Sequence, residues 1–183
     1  KMSAYTPVSY TNLANGIIGS ASVSSASFAP LSKQSVIRLH ANQPVNFRID
    51  SAASATAGPT NPLISAGVSE YVRIQGHHRA ISSIKDQGGT ITIVTSEPDN
   101  DIHHGFEIGD LVHITNTSNF NALALSARVV ASVINSTAFT CGTSGGNISE
   151  ETSGDVRKGY ILSQKGLSGT AGVITATEVS MQG

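Results

Sequence analysis

The chain has no tryptophan, one cysteine and little charge: 13% of its 183 residues are Asp, Glu, Lys or Arg, against roughly 25% in most soluble domains. Exposed faces of helical bundles are filled with Glu, Lys, Arg and Gln, so this scarcity excludes a bundle. A lone Cys141 forms no internal disulfide, which excludes a stapled secreted scaffold. No run approaches eighteen apolar residues, so no membrane span is predicted. The mildly apolar stretch Leu13 to Ala29 is diluted by Asn15, Gly16 and several serines and reads as mature protein, not as a leader. Met2 reads as the natural start, with Lys1 an addition ahead of it. A formal net charge of −1 excludes the basic excess on which nucleic-acid binding depends.

Small and hydroxylated residues fill the gap. Serine and threonine number 42, and glycine 18. A surface of hydroxyls is readily covered by a partner, because an uncharged hydroxyl needs one hydrogen bond on desolvation whereas a charge needs a matched pair.

Charge is distributed unevenly. Met2 to Ser32 holds none, which predicts an extended N-terminal arm over 1–32 lying against a neighbouring surface. From Gln34 the pattern has period two: Ile37 and Leu39, then Val45, Phe47 and Ile49, alternate with polar residues around a turn at Asn42-Gln43-Pro44. Ser51 to Pro62 reads as a long connection, followed by strands over Glu70–Ile74 and Ala80–Ile84. Gly88-Gly89 opens a second series: Thr90–Thr95, Leu111–Thr115, Ala127–Ile134, Ala138–Cys141 and Gly159–Leu162, with a last strand over Val173–Val179. The region 88–166 carries a net charge of −4 and the remainder +3. These features predict an all-β chain. A β-sandwich body over 33–87 plus 167–183 would carry a second small β-domain, 88–166, as an insertion.

Residues with catalytic or metal-binding potential are few. In a strand, adjacent histidines such as His77-His78 and His103-His104 point to opposite faces, so a metal site would have to combine one from each pair with His113; polar corners beside glycine are the simpler reading. Glu97, Asp99 and Asp101 begin like a calcium loop, but Ile102 stands where the glycine belongs and Ile108 where the closing glutamate belongs, which excludes an EF-hand. Cys141 has no neighbouring base and reads as a buried thiol. No nucleophile elbow, phosphate loop, dinucleotide fingerprint or HExxH helix occurs. The body's carboxylates are Asp50, Glu70, Asp86 and Glu178, and Glu70 and Glu178 are expected to meet Arg48 or Arg73 across a sheet. Arg38, Arg48, Arg73, Arg79 and Lys85, with Phe47 and Tyr71 among them, are candidates for one basic face.

Two passages carry a resemblance. Val45-x-Phe47-Arg48-Ile49, Pro62-Leu63, Val68-x-Glu70-Tyr71-Val72-Arg73-Ile74 and Ala80-Ile81, together with Gly172 to Glu178, resemble small β-sandwich virion proteins of tailed bacteriophages. His104-Gly105-Phe106-x-Ile108-Gly109-Asp110-Leu111-Val112-His113-Ile114, with Thr137-x-Phe139-Thr140, is similar to a small β-domain of phage tail and virion proteins, although Asn119 to Leu123 replaces its usual glycine turn. The resemblance implies an antiparallel sandwich, jelly-roll-like or Ig-like, and a capsid decoration (cement) protein of the virion surface. Its partners would be the major capsid protein and further copies of itself in a homotrimer, with no nucleic acid, membrane, cofactor, metal or enzymatic activity involved. The expected capsid or subunit interface is Tyr5, Tyr10, Phe28, Arg38, Arg48 and Arg73. A host-surface or glycan-binding module, or a neck or tail component, is the alternative.

Overall fold

The computed structural model describes residues 7–14, 23–30, 34–96, 103–118, 120, 127–142, 148–167 and 172–181. The described residues contain strands and turns and no helix. They form two compact units, a body (Lys1–Asp50, Ser54–Gly76, Ile161–Gly183) and an insert (Ser51–Ala53, His77–Tyr160).

The body is an antiparallel β-sandwich of two four-stranded sheets. The first runs, edge to edge, β1 (Pro7–Ala14), β15 (Ile174–Met181), β3 (Gln34–Ala41) and β6 (Ser69–Gln75). The second runs β2 (Val23–Phe28), β14 (Tyr160–Gly166), β4 (Val45–Asp50) and β5 (Leu63–Ile64). The alternation read in the sequence is the burial pattern of β3, where Ser35, Ile37, Leu39 and Ala41 are buried and the residues between them are not. On β15, Ile174, Ala176 and Glu178 face the same interior, and Glu178 accepts the Ser35 hydroxyl. Glu178 therefore meets a serine, not the arginine expected of it, and Arg48 pairs with Asp50. Strand β14 is buried along most of its length. Part of the Ala/Ser/Thr/Gly/Pro connection covers it: Ala55 and Ala57 are buried, and the Ala57 N–H donates to Ser163 Oγ at 2.8 Å.

The insert is a small closed barrel of six strands. Around the barrel come β7 (His78–Gln87), β13 (Asp155–Lys158), β9 (Leu111–Thr115), β10 (Arg128–Val133), β11 (Ala138–Cys141) and β8 (Thr90–Ser96), which pairs back onto β7. The short β12 (Ile148–Glu151) pairs with the far end of β7. Closure leaves the ring without an open edge. Ile84, Ile91, Ile93, Val112, Ile114, Phe120, Val130, Phe139, Cys141 and Val156 fill the interior. The His77 carbonyl accepts the Lys158 N–H at 2.8 Å, so the two ends of the main insert segment lie beside each other.

Two expected boundaries shift. Gly88-Gly89 does not separate domains; with φ of 60° and 83° it is the two-residue turn of the β7–β8 hairpin, in which Gln87 faces Thr90. The insert thus begins at His77 instead of 88. It ends at Tyr160 instead of 166, because β14 pairs with β4 from Ile161↔Asp50 to Gly166↔Val45. The charge division survives the correction, at −4 for the insert and +3 for the body. The expected N-terminal arm also changes character: Pro7–Ala14 and Val23–Phe28 are edge strands of the body's own sheets. A backbone rich in hydroxyl and β-branched residues satisfies its N–H and C=O groups by adding to a sheet, and the chain's own sheets are available to it.

Candidate interaction face

The register of β3 against β6 and β15 assembles one face of the body. Arg38 stands opposite Tyr71 on β6 and Thr177 on β15; Val36 stands opposite Arg73, and His40 opposite Ser69 and Thr175. The buried residues of β3 point inward, so these positions point outward. Tyr71 is 62% exposed and Arg73 is exposed. Arg38 is half-buried and held in place, its Nε donating to Ser69 Oγ at 3.1 Å, while His40 Nδ1 lies 3.2 Å from the same oxygen. Among the described outward positions of β3, β6 and β15 there are two arginines, a histidine and a tyrosine but no carboxylate. The outward positions are therefore positive and only partly hydroxylated, while Glu70, exposed at the register of Leu39, is the carboxylate beside them on β6.

The structure gathers two of the six expected interface residues here, Arg38 and Arg73. Arg48 lies on the other sheet, where its Nε donates to Asp50 Oδ2 at 3.1 Å, so its charge is already matched. Phe28 is 3% exposed and belongs to the core, which overturns the contact expected of it: a ring buried at the end of β2 has no surface left to offer a partner. Tyr10 lies on β1 at the register position of Val179. Tyr5 lies outside the described residues, as do Glu97, Asp99 and Asp101. Arg79 and Lys85 belong to the insert, so the five basic residues do not form one face of the body.

In the insert the paired histidines are structural. His104 Nδ1 accepts the Phe106 N–H at 2.9 Å, and its Nε2–H donates to the Asn135 carbonyl at 3.1 Å. That fixes the neutral ring in one tautomer and leaves neither nitrogen for a metal. His77 Nε2–H donates to the His104 carbonyl at 2.5 Å, and its ring meets Phe106 edge-on at 4.8 Å. His78 is hydrogen-bonded to Asp155 Oδ1 at 2.8 Å. Asp155 also accepts from Asn116. Partial burial pushes the Asp155 carboxyl up, but the His78 and Asn116 hydrogen bonds and the charges of His78 and Arg157 outweigh it and hold the group below its ordinary range. His113 stands apart, across from Arg157, with burial lowering its pKa. No group of three or more His, Cys, Asp or Glu residues placed to hold a metal occurs among the described residues. Cys141 lies in the barrel core, where burial raises its thiol to about 12 despite the opposing charge of Arg128. It is a protonated, unreactive thiol at neutral pH.

Sequence reasoning missed the burial of Asp86, which is 1% exposed. The signal was present, since Ile84-x-Asp86 continues the inward row of β7 as Ile91-x-Ile93 does on β8. Comparison with protein-family models, with curated proteins and with solved structures returned no match.

Proposed function

We propose that this chain is a structural protein of a tailed-phage particle, a decoration protein that binds the assembled capsid and stabilises it by bridging neighbouring capsid subunits. The observation that carries the reading is the outward face of β3 and β6. On a chain with so few charges, Arg38, Arg73 and the exposed Tyr71 stand together with no carboxylate among them, the residue types enriched where proteins meet. Its mechanism is mass action, since a protein that binds only the mature shell shifts the shell's stability by its own binding energy. Homotrimers fit the threefold positions of an icosahedral lattice, and the proposed stoichiometry follows from that symmetry.

Co-sedimentation with expanded capsids lacking the protein tests the reading. Wild-type chain pellets with the shell and raises its melting temperature, while Arg38→Glu with Arg73→Glu leaves the chain in the supernatant. Failure of the wild-type chain to bind any capsid form rejects the proposal.

A second reading has its own support. On the insert, Ile108 is 70% and Ile134 55% exposed, beside a cleft of about 380 Å³ lined by His103, Phe106, Glu107, Val133 and Asn135. That surface favours the insert as the contact module of a head fibre, neck or tail, and binding of the whole chain to host cells or glycans would distinguish it.

A further inference from the structure

We propose that a proton on His40 releases Arg38 for an acidic partner, so that the outward face of β3 and β6 binds a carboxylate-bearing protein surface more tightly as the pH falls. The inference rests on the reading of that face as the contact with the shell. Ser69 Oγ is the shared atom: Arg38 Nε donates to it at 3.1 Å, and His40 Nδ1 lies 3.2 Å from it. Strand register puts the three side by side, since His40 stands opposite Ser69 and follows Arg38 by one outward position on β3. A hydroxyl has one hydrogen to give. With its oxygen already accepting from a guanidinium, Ser69 gives that hydrogen to His40 Nδ1, and the neutral imidazole carries its own proton on Nε2. Arg38 is thereby tied to its own sheet, half-buried.

Protonation reverses one link of this relay. Nδ1 becomes a donor, the hydroxyl hydrogen has to turn away, and two cationic groups then hold the same oxygen. Like charges this close repel. Among the described residues no carboxylate faces them: β3 supplies Arg38, β6 supplies Ser69 and Tyr71 with Arg73 further along, β15 supplies Thr175 and Thr177, and the Ser65–Val68 turn before β6 is uncharged. Glu70 lies on the opposite row of β6, at the register of the buried Leu39. Arg38 relieves the repulsion by leaving Ser69 for an acceptor outside the chain, and a partner's carboxylate offers one of matching charge. Proton and partner therefore bind cooperatively, each strengthening the other by the same factor.

Two measurements on the full chain test this. In a nuclear magnetic resonance titration across the imidazole range, about pH 8 to 5, the Arg38 Nε–H signal should move with the titration of the His40 ring, and Ser69→Ala should uncouple the two. In co-sedimentation with expanded capsids, wild-type affinity should rise roughly fivefold to tenfold over the same range, and His40→Gln should flatten most of that rise. Wild-type chain that binds no capsid form at either pH rejects the functional reading and this inference with it. The inference alone is overturned, with capsid binding intact, by an Arg38 signal indifferent to His40, by the same coupling in Ser69→Ala, or by a wild-type pH ratio equal to that of His40→Gln.

Discussion

The His77 ring occupies the space a side chain at position 105 would need: a Cβ built on Gly105 would lie 2.8 Å from His77 Nε2. Gly105 also has φ of +76°, a conformation that L-residues adopt at a cost. Gly105→Ala must therefore strain the backbone and displace a ring that is hydrogen-bonded to the His104 carbonyl. The expected loss is about 2–3 kcal/mol of barrel stability. Cys141, sealed in the barrel core, provides the readout. Its labelling by a thiol reagent should speed up by one to two orders of magnitude, and an unchanged rate would show that His77 yields freely.

Replacing His104 by Leu tests the tautomer lock. The substitution keeps the bulk but leaves the Phe106 N–H and the Asn135 carbonyl without their partner. Leaving the buried Phe106 N–H and the partly buried Asn135 carbonyl unpaired should cost roughly 1–3 kcal/mol. The same Cys141 labelling assay reads the loss, and wild-type rates would mean that water replaces the ring.

In the body the corresponding pair is Ser35 and Glu178. Ser35→Ala removes a donor from a buried carboxylate and should lower the urea midpoint by an amount equivalent to about 1.5–3 kcal/mol. Glu178→Gln, which keeps an acceptor for the hydroxyl, should cost less. Equal losses from both variants would show that the carboxylate charge, not the hydrogen bond, matters.

Two of the described groups contribute to the pH response below neutrality. Burial lowers the pKa of His113, so below the ordinary value of 6.5 the unfolded chain takes up a proton before the folded one does. Stability is complete above pH 6.5 and declines as the pH falls towards the lower folded value. Asp155 is likewise depressed, and its contribution is complete above its ordinary 3.8 and lost as acid reaches the folded value. Melting temperatures from pH 7 to 3 should fall in these two windows. His113→Gln should flatten the upper window and Asp155→Asn the lower one, and a variant that leaves its window unchanged removes that group from the account.

Much of this architecture was legible in the residues, and the misreadings have physical causes. The alternation of Ile37, Leu39 and Ala41 identified β3 because one face of that strand is buried and the other is not. The sequence pattern supports only Ala80–Ile84 of β7, because the register shift between Ile81 and Ser83 breaks its period. Backbone chemistry at the N-terminus is the same whether a strand adds to its own sheet or to a partner's, so sequence alone could not assign β1 and β2. The basic face was half legible: Arg38 and Arg73 share it through the β3–β6 register, whereas Arg48 lies on the second sheet, a placement set by pairing partners distant in sequence. Asp86 follows the inward rhythm of β7, but a carboxylate there gives no sign of burial in the sequence, where it counts among the body's carboxylates instead of the insert's.

The hydrogen bond from the Lys158 N–H to the His77 carbonyl bears on how the chain folds. The body must pair strands from both sides of residues 77–160, with β14 against β4 and β15 against β3. Closing so long a loop is slow when its contents are unstructured. Once the barrel has formed, its two ends are held side by side, and the body closes across a short gap. Pairing that is remote along the chain is thereby made local in time.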